Sequence, residues 1–137
     1  MEDIRVLLVD DEEDIVYTMA TILEMEKYTI FTAYNGYEAL KVIDKQIETG
    51  RSIDILVTDI AMPKLSGAKL IEEIQKRELD IHILAITAFS TKNDLIELIQ
   101  KGVEGYIEKP FRMAQLKNHI KIIAGKIQKV KFAQKKT

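Results

Sequence analysis

Cysteine is absent from the 137 residues, so neither a disulfide framework nor a thiolate zinc site can be built. No apolar run approaches the roughly 20 residues that span a bilayer. The opening MEDIRVLLVDDEED places an acidic flank on a short apolar run, the wrong pattern for a secretory signal. Neither common glycine-rich nucleotide-binding loop occurs. The expectation is a soluble, cytoplasmic protein with no membrane attachment. The chain has the length of one domain, with no second one in view. Hydrophobic residues at 47% and charged residues at 31% give the balance of a globular protein with a sizeable core.

The net charge of −2 conceals a division. Residues 112–137 carry eight of the 20 basic side chains and no acidic one. The first 111 residues hold the other 12 basic and all 22 acidic side chains, a net of −10. One function need not explain both parts.

Five short apolar runs alternate with five longer helical patterns. The runs are 4–9, 28–33, 54–59, 82–87 and 105–109. The first, third and fourth are apolar nearly throughout, as in parallel strands covered on both faces. Segments 13–26, 36–48, 66–78 and 91–102 repeat apolar residues every three or four positions, which predicts amphipathic helices. Asn35 and Ser66 stand where N-caps are expected, and Gly102 where a helix terminates. Alternation of this kind predicts a doubly wound α/β domain with a parallel sheet, whose ligands bind at the carboxyl ends of the strands.

Those ends carry an unusual set. The first run ends in Asp10 and Asp11, the third in Asp59, the fourth in Thr87 and the fifth in Lys109. A single Asp at a strand end commonly serves a turn or a cap. Five such groups at matching ends are harder to dismiss. Converging carboxylates repel unless a cation compensates. A hard divalent ion such as Mg²⁺ suits an all-oxygen donor set. With Lys109 and Thr87 alongside, the set has the parts needed to move a phosphoryl group onto a carboxylate, with Asp59 as nucleophile.

The stretches VLLVDDEEDI, VTDIAMPKLSG, AITAF and GYIEKPF, in this order and spacing, resemble the receiver domains of two-component response regulators, the CheY-like superfamily, from about residue 4 to 123. The resemblance implies a five-stranded sheet in the flavodoxin-like order 2-1-3-4-5 with five helices, the last extended. It implies that Asp59 accepts the phosphoryl group. It implies that Asp11, Asp59 and the backbone carbonyl of Ala61 bind Mg²⁺ (or Mn²⁺) directly, with Asp10 acting largely through water. Thr87 and Lys109 would contact the phosphoryl oxygens, and Tyr106 would turn inward when Thr87 moves. A cis Lys109–Pro110 bond is implied too, although residue type alone favours trans. Ala61 and Phe89 occupy positions that tune dephosphorylation, and neither can orient an attacking water. The expected donor is a sensor histidine kinase or histidine phosphotransfer protein, and the expected recipient an output domain or protein elsewhere. Such a domain catalyses its own phosphorylation and dephosphorylation without being a conventional enzyme.

Departures from the family pattern are informative. Ser66 replaces the usual Asp or Asn. Leu98, Lys101 and Val103 replace residues that are commonly alanine, which suggests a bulkier surface between the fourth and fifth helices. His82 and His119 show no partner pattern, and Met62 reads as core. Two other classes compete with the switch. An Asp-nucleophile phosphatase would show Asp-x-Asp after its first strand, and here the pair is adjacent. A phosphate-independent binding module would not need the acidic set.

Met113, Leu116, Ile120, Ile123, Ile127 and Val130 recur at alternating spacings of three and four, predicting a helix over 112–132. At about 1.5 Å per residue it would be roughly 30 Å long, against about 17–20 Å for a strand. Residues 1–124 are thus expected to form the receiver domain and 125–137 a basic helical extension or linker, with Ile127 and Val130 beyond the core. The extension would pair with its twin in a homodimer or continue into an output domain. Direct nucleic-acid or membrane binding is not expected, because the body is acidic and the lysines do not alternate with aromatics.

Overall fold

The computed structural model describes residues 3–88 and 91–136. The apolar runs form β1 (Arg5–Val9), β2 (Thr29–Ala33), β3 (Ile55–Asp59), β4 (His82–Thr87) and β5 (Gly105–Glu108). Between and after them lie α1 (Glu13–Met25), α2 (Gly36–Glu48), α3 (Gly67–Lys76), α4 (Lys92–Gln100) and α5 (Met113–Lys136). All strand pairs are parallel, and the sheet order is β2-β1-β3-β4-β5. This is the expected doubly wound architecture, with its last helix long.

Side chains alternate between the faces of a strand, and the two cores follow that rule. Val6 and Leu8, Ile55 and Val57, and Leu84 and Ile86 pack with Met19 and Leu23 of α1 and Leu116, Ile120 and Ile123 of α5. Leu7 and Val9, Leu56 and Ile83 point the other way, toward Ile43 of α2 and Leu70, Ile71 and Ile74 of α3. Burying an aliphatic side chain of this size stabilises the fold by about 1.5–3 kcal/mol, which is why the polar residues of β3 and β4, Thr58, Asp59, His82 and Thr87, lie at or next to the strand ends. Arg5 is a buried charge at the start of β1. Its guanidinium lies 4.8 Å from the Phe31 ring centre and bonds to Gln46, while Asp54 takes its backbone N–H at 2.9 Å. Burial holds the Arg5 pKa below its usual value, with Arg51 adding to the effect and Asp54 and Asp3 opposing it.

The helix ends form as their residues dictate. Asn35 accepts the Glu38 N–H at 3.0 Å, and Glu38 reaches back to the Tyr34 N–H at 2.9 Å, a reciprocal cap. Ser66 accepts from the Lys69 N–H at 3.2 Å. Thr91 caps α4 in the same way, which the sequence reading did not identify. Gly102 follows α4 with φ +83°, a conformation that glycine adopts at no steric cost. The two histidines also differ from expectation in one respect: His82 pairs with Glu104, whereas His119 packs beside Gly105.

The distal half of α5 requires a correction. It runs without a break to Lys136, and Ile127 is buried rather than projecting past the body. The core continues below β1 through Ile4, which belongs to the same cluster as Ile127. One turn further, Lys131 lies 3.7 Å from Asp54 at the base of β3. Val130, at 56% exposure, does stand outside the core as expected. Ile127→Ala should therefore destabilise the protein by about 2–4 kcal/mol, as a core truncation does. Val130→Ala should stay within about 0.5 kcal/mol. Urea unfolding of the two variants checks the difference, and equal small effects would show that the distal turns of α5 are not docked.

Candidate functional site

The parallel arrangement brings the carboxyl ends of β1, β3, β4 and β5 to one rim. Asp10 follows β1 and is fully buried. Its Oδ1 accepts the Glu12 N–H at 2.9 Å, which shapes the turn into α1. Asp59 closes β3, also buried, with Oδ1 accepting the Ala61 N–H at 3.2 Å. Asp11 is exposed at the mouth. Thr87, buried at the end of β4, is one residue beyond the register partner of Asp59, and its carbonyl accepts the Lys109 N–H at 2.7 Å. Lys109 reaches across the rim. Its Nζ donates to Asp59 Oδ2 at 2.9 Å and lies 3.5 Å from Asp10 Oδ2.

The loop after β3 is shaped by a close approach. Gly67 lies against the Asp59 carbonyl, where a Cβ would come within 1.9 Å of that oxygen. Any larger residue would displace the backbone that presents Asp59. Lys64 in the same loop takes a positive φ of 64°. The Lys109–Pro110 bond is cis, as the family pattern implies.

The electrostatics follow from burial and neighbours. Asp10 is pushed above its ordinary pKa mainly by burial, with Asp59 and Asp11 adding to the effect and the Glu12 N–H and Lys109 opposing it. Burial works against the Lys109 charge, but the Asp59 hydrogen bond and the fields of Asp10 and Asp59 outweigh it, so its pKa is raised. Three carboxylates thus face one ammonium. Asp10, Asp11 and Asp59 each present an oxygen within 4.8 Å of the others. Asp10 Oδ2 is buried without a hydrogen-bond partner among the described residues. A hard divalent cation fits this all-oxygen donor set, and the orphaned oxygen is the atom it would satisfy.

Every sequence-predicted site residue within the described part falls at or beside this rim, with one distinction. Tyr106 of β5 is exposed, in a groove with Ile99, Gln115 and His119. Phe89 lies outside the described residues. Ala61 is exposed and borders a second groove, between α3 and α4. There the outcome differs from expectation. Leu98 and Lys101 line that groove, on the α3 side of α4 and not on the side toward α5, with Lys101 3.3 Å from Glu72 of α3. Val103 packs against the core. The sequence reading missed the Lys101–Glu72 pair because the two residues are distant along the chain.

Residues 6–121 match the family model described as the response regulator receiver domain. Among curated proteins, the chain is 38% identical over 124 residues to a probable transcriptional regulator ycf27 of Cyanidium caldarium, covering 90% of this chain and 47% of that protein. It is 35% identical over 112 residues to the response regulator SaeR of Staphylococcus aureus, covering 82% and 46%. The chain thus spans about half the length of these relatives. Among solved structures, the receiver domain of a putative LuxO repressor protein from Vibrio parahaemolyticus superposes with a TM-score of 0.87 at 23% identity, over 96% of this chain and 98% of that one. The receiver domain of the Francisella response regulator 1452 gives 0.81 at 26% identity, over 91% and 99%.

Asp10 offers a direct test of the site's electrostatics. An acid whose folded-state pKa is raised binds its proton more tightly when folded. Its ionisation therefore costs stability as pH climbs from the unfolded value, 3.8, to the raised one, and the cost is constant above that. Without divalent metal at neutral pH, Asp10→Asn should raise Tm above that of wild type, because it removes a buried charge whose ionisation costs stability. The gap should close at low pH. Thermal melts across pH check this, and a variant less stable than wild type at neutral pH would refute it.

Proposed function

The chain belongs to the response regulator receiver family of two-component systems, and from that premise we propose that it is a phosphorylation switch in which Asp59 accepts the phosphoryl group. The single observation that carries this reading is the reach of Lys109 to Asp59 at 2.9 Å, beside Asp10 and Asp11. Family membership makes it a signalling domain, not a conventional enzyme. The proposed donor is a histidine kinase or histidine phosphotransfer protein acting in the cytoplasm. The phosphorus–nitrogen bond of the donor imidazole breaks as phosphorus bonds to an Asp59 carboxylate oxygen. Lys109 and Thr87 then hold the phosphoryl oxygens, the lysine as a cation and the threonine as a hydrogen-bond donor. Asp10, Asp11, Asp59 and the Ala61 carbonyl would hold Mg²⁺ or Mn²⁺, which supplies positive charge against those oxygens.

The proposed readout is a change of surface. Thr87 shifts toward the phosphoryl group and Tyr106 leaves its exposed position for the space vacated, biasing a two-state element. The recipient is an output domain or separate protein. Residues 1–124 would act as the receiver and 125–137 as the basic end of α5, which leads toward a following domain or a second copy. The Leu116–Ile127 stripe is occupied by the core, so any pairing of α5 with another chain must use its remaining faces.

Incubation with phosphoramidate and Mg²⁺, followed by intact-mass measurement, tests the assignment. The wild-type chain should gain one phosphoryl group and Asp59→Ala none. Lys109→Ala should slow the gain by about 100-fold or more. Undiminished phosphorylation of Asp59→Ala would overturn the assignment. A second expectation concerns lifetime. Ala61 has no polar group to place a water, so the phosphoryl group should be lost slowly, and Ala61→Asn should shorten its half-life several-fold. An unchanged half-life would remove Ala61 from the account.

A further inference from the structure

α1 and α5 lie side by side on one face of the sheet, and both leave large apolar side chains in solvent. Tyr17 and Met25 of α1 are 74% and 77% exposed, and Ile122 and Phe132 of α5 are each 61% exposed. On an isolated receiver these are costly groups to leave wet. The two helices differ sharply in charge. α1 contains Glu13, Asp14 and Glu24 and no basic residue, whereas α5 contains seven lysines and no acidic residue. Their own seam already uses this difference: Lys117 of α5 lies 2.8 Å from Glu26 at the end of α1. Other exposed charges of the two helices are not consumed in that way. Asp14, Glu24 and Lys129 are exposed and make no ion pair within the chain among the described residues.

The face is therefore an acidic, apolar helix beside a basic, apolar one, running in the same direction. Such a surface is complementary to itself. A two-fold axis parallel to the helices lays each α1 on the α5 of a second copy, twice, with acid facing base both times. An axis perpendicular to the helices sets α1 on α1 and α5 on α5, with like charges opposed. Gly125 assists the first arrangement. It lies midway along α5, and a Cβ there would meet nothing within 4 Å, so the neighbouring helix can approach closely. We propose that the α1–α5 face is a symmetric self-association surface, with α1 of each copy seated on α5 of the other. The occupant is a second copy of this chain because the charge pattern that would attract it is already present in both halves. This goes beyond the phosphoryl reading and does not depend on it. It also differs from pairing of α5 with its own twin.

The test uses reciprocal charge reversal in the full chain, followed by analytical ultracentrifugation over a concentration series. The first variant is Asp14→Lys with Glu24→Lys, which makes both helices basic. The second is Lys121→Glu with Lys129→Glu, which replaces two of the seven lysines of α5 with acidic side chains at exposed positions. All four positions are exposed, so circular dichroism should report an unchanged fold. The wild-type chain should dimerise reversibly, and each variant alone should associate about tenfold more weakly or worse. An equimolar mixture of the two should regain much of the wild-type affinity, because the reversed positions of one copy then meet opposite charges on the other. That rescue separates the proposal from misfolding of either variant. A wild-type chain that stays monomeric both with and without phosphoramidate would overturn it. So would dimerisation unaffected by the α1 reversal, the outcome expected for α5 paired with α5. A mixture that stays monomeric would also overturn it. Phosphorylation by intact mass is read separately, so failure here leaves the Asp59 assignment standing.

Discussion

Three carboxylates at the ends of β1 and β3 face a single ammonium, and that imbalance governs how the rest of the rim is built. Asp10 sits at the end of a strand covered on both faces, so water cannot solvate it fully. Its charge is tolerated because the Glu12 N–H takes one oxygen and Lys109 stands 3.5 Å from the other. Lys109 cannot neutralise both buried carboxylates at once, since its closest contact is with Asp59. The surplus negative charge is a standing demand for a cation, and a buried oxygen with no hydrogen-bond partner among the described residues marks where the demand is greatest. Stability and function pull against each other here, as they commonly do where titratable groups are gathered for chemistry.

The sheet makes this crowding affordable. Its two apolar layers hold β1, β3 and β4 in register, so the rim residues are placed by backbone pairing rather than by contacts with each other. Ile86 pairs with Asp59, which sets Thr87 one step beyond it, and Glu108 pairs with Thr87, which sets Lys109 next. The Gly67 contact with the Asp59 carbonyl fixes the loop from the other side. A group transfer that depends on positioning gains from a scaffold this rigid.

Much of this was legible from local signals. Continuous apolar runs gave the buried strands, three- and four-residue spacing gave the helices, and Asp10, Asp11, Asp59, Thr87 and Lys109 stood out because each ends a run. The features that escaped notice depend on contacts across the chain. Lys101 reads as a bulky surface residue until α3 brings Glu72 to it. His82 has no partner in its own neighbourhood because Glu104 is 22 residues away. Arg5 interrupts an apolar run, and only the positions of Phe31 and Gln46 explain its burial. Ile127 reads as lying past the core because a strand is shorter than the core it belongs to, and Ile4 extends that core beyond the strand.

The correction at Ile127 changes what α5 can do. A helical stripe has one face, and residues that close a core cannot also form the seam of a coiled coil. With Leu116, Ile120, Ile123 and Ile127 all buried, α5 is bound to the sheet over most of its length, and Lys131 beside Asp54 extends that hold toward its end. A tilt or shift of α5 would have to move these side chains against β1, β3 and β4, the strands whose far ends carry the rim. Close-packed interiors transmit such displacements because they have few voids to absorb them. The base of the molecule, where α5 leaves the sheet, is therefore mechanically connected to the rim through the core itself.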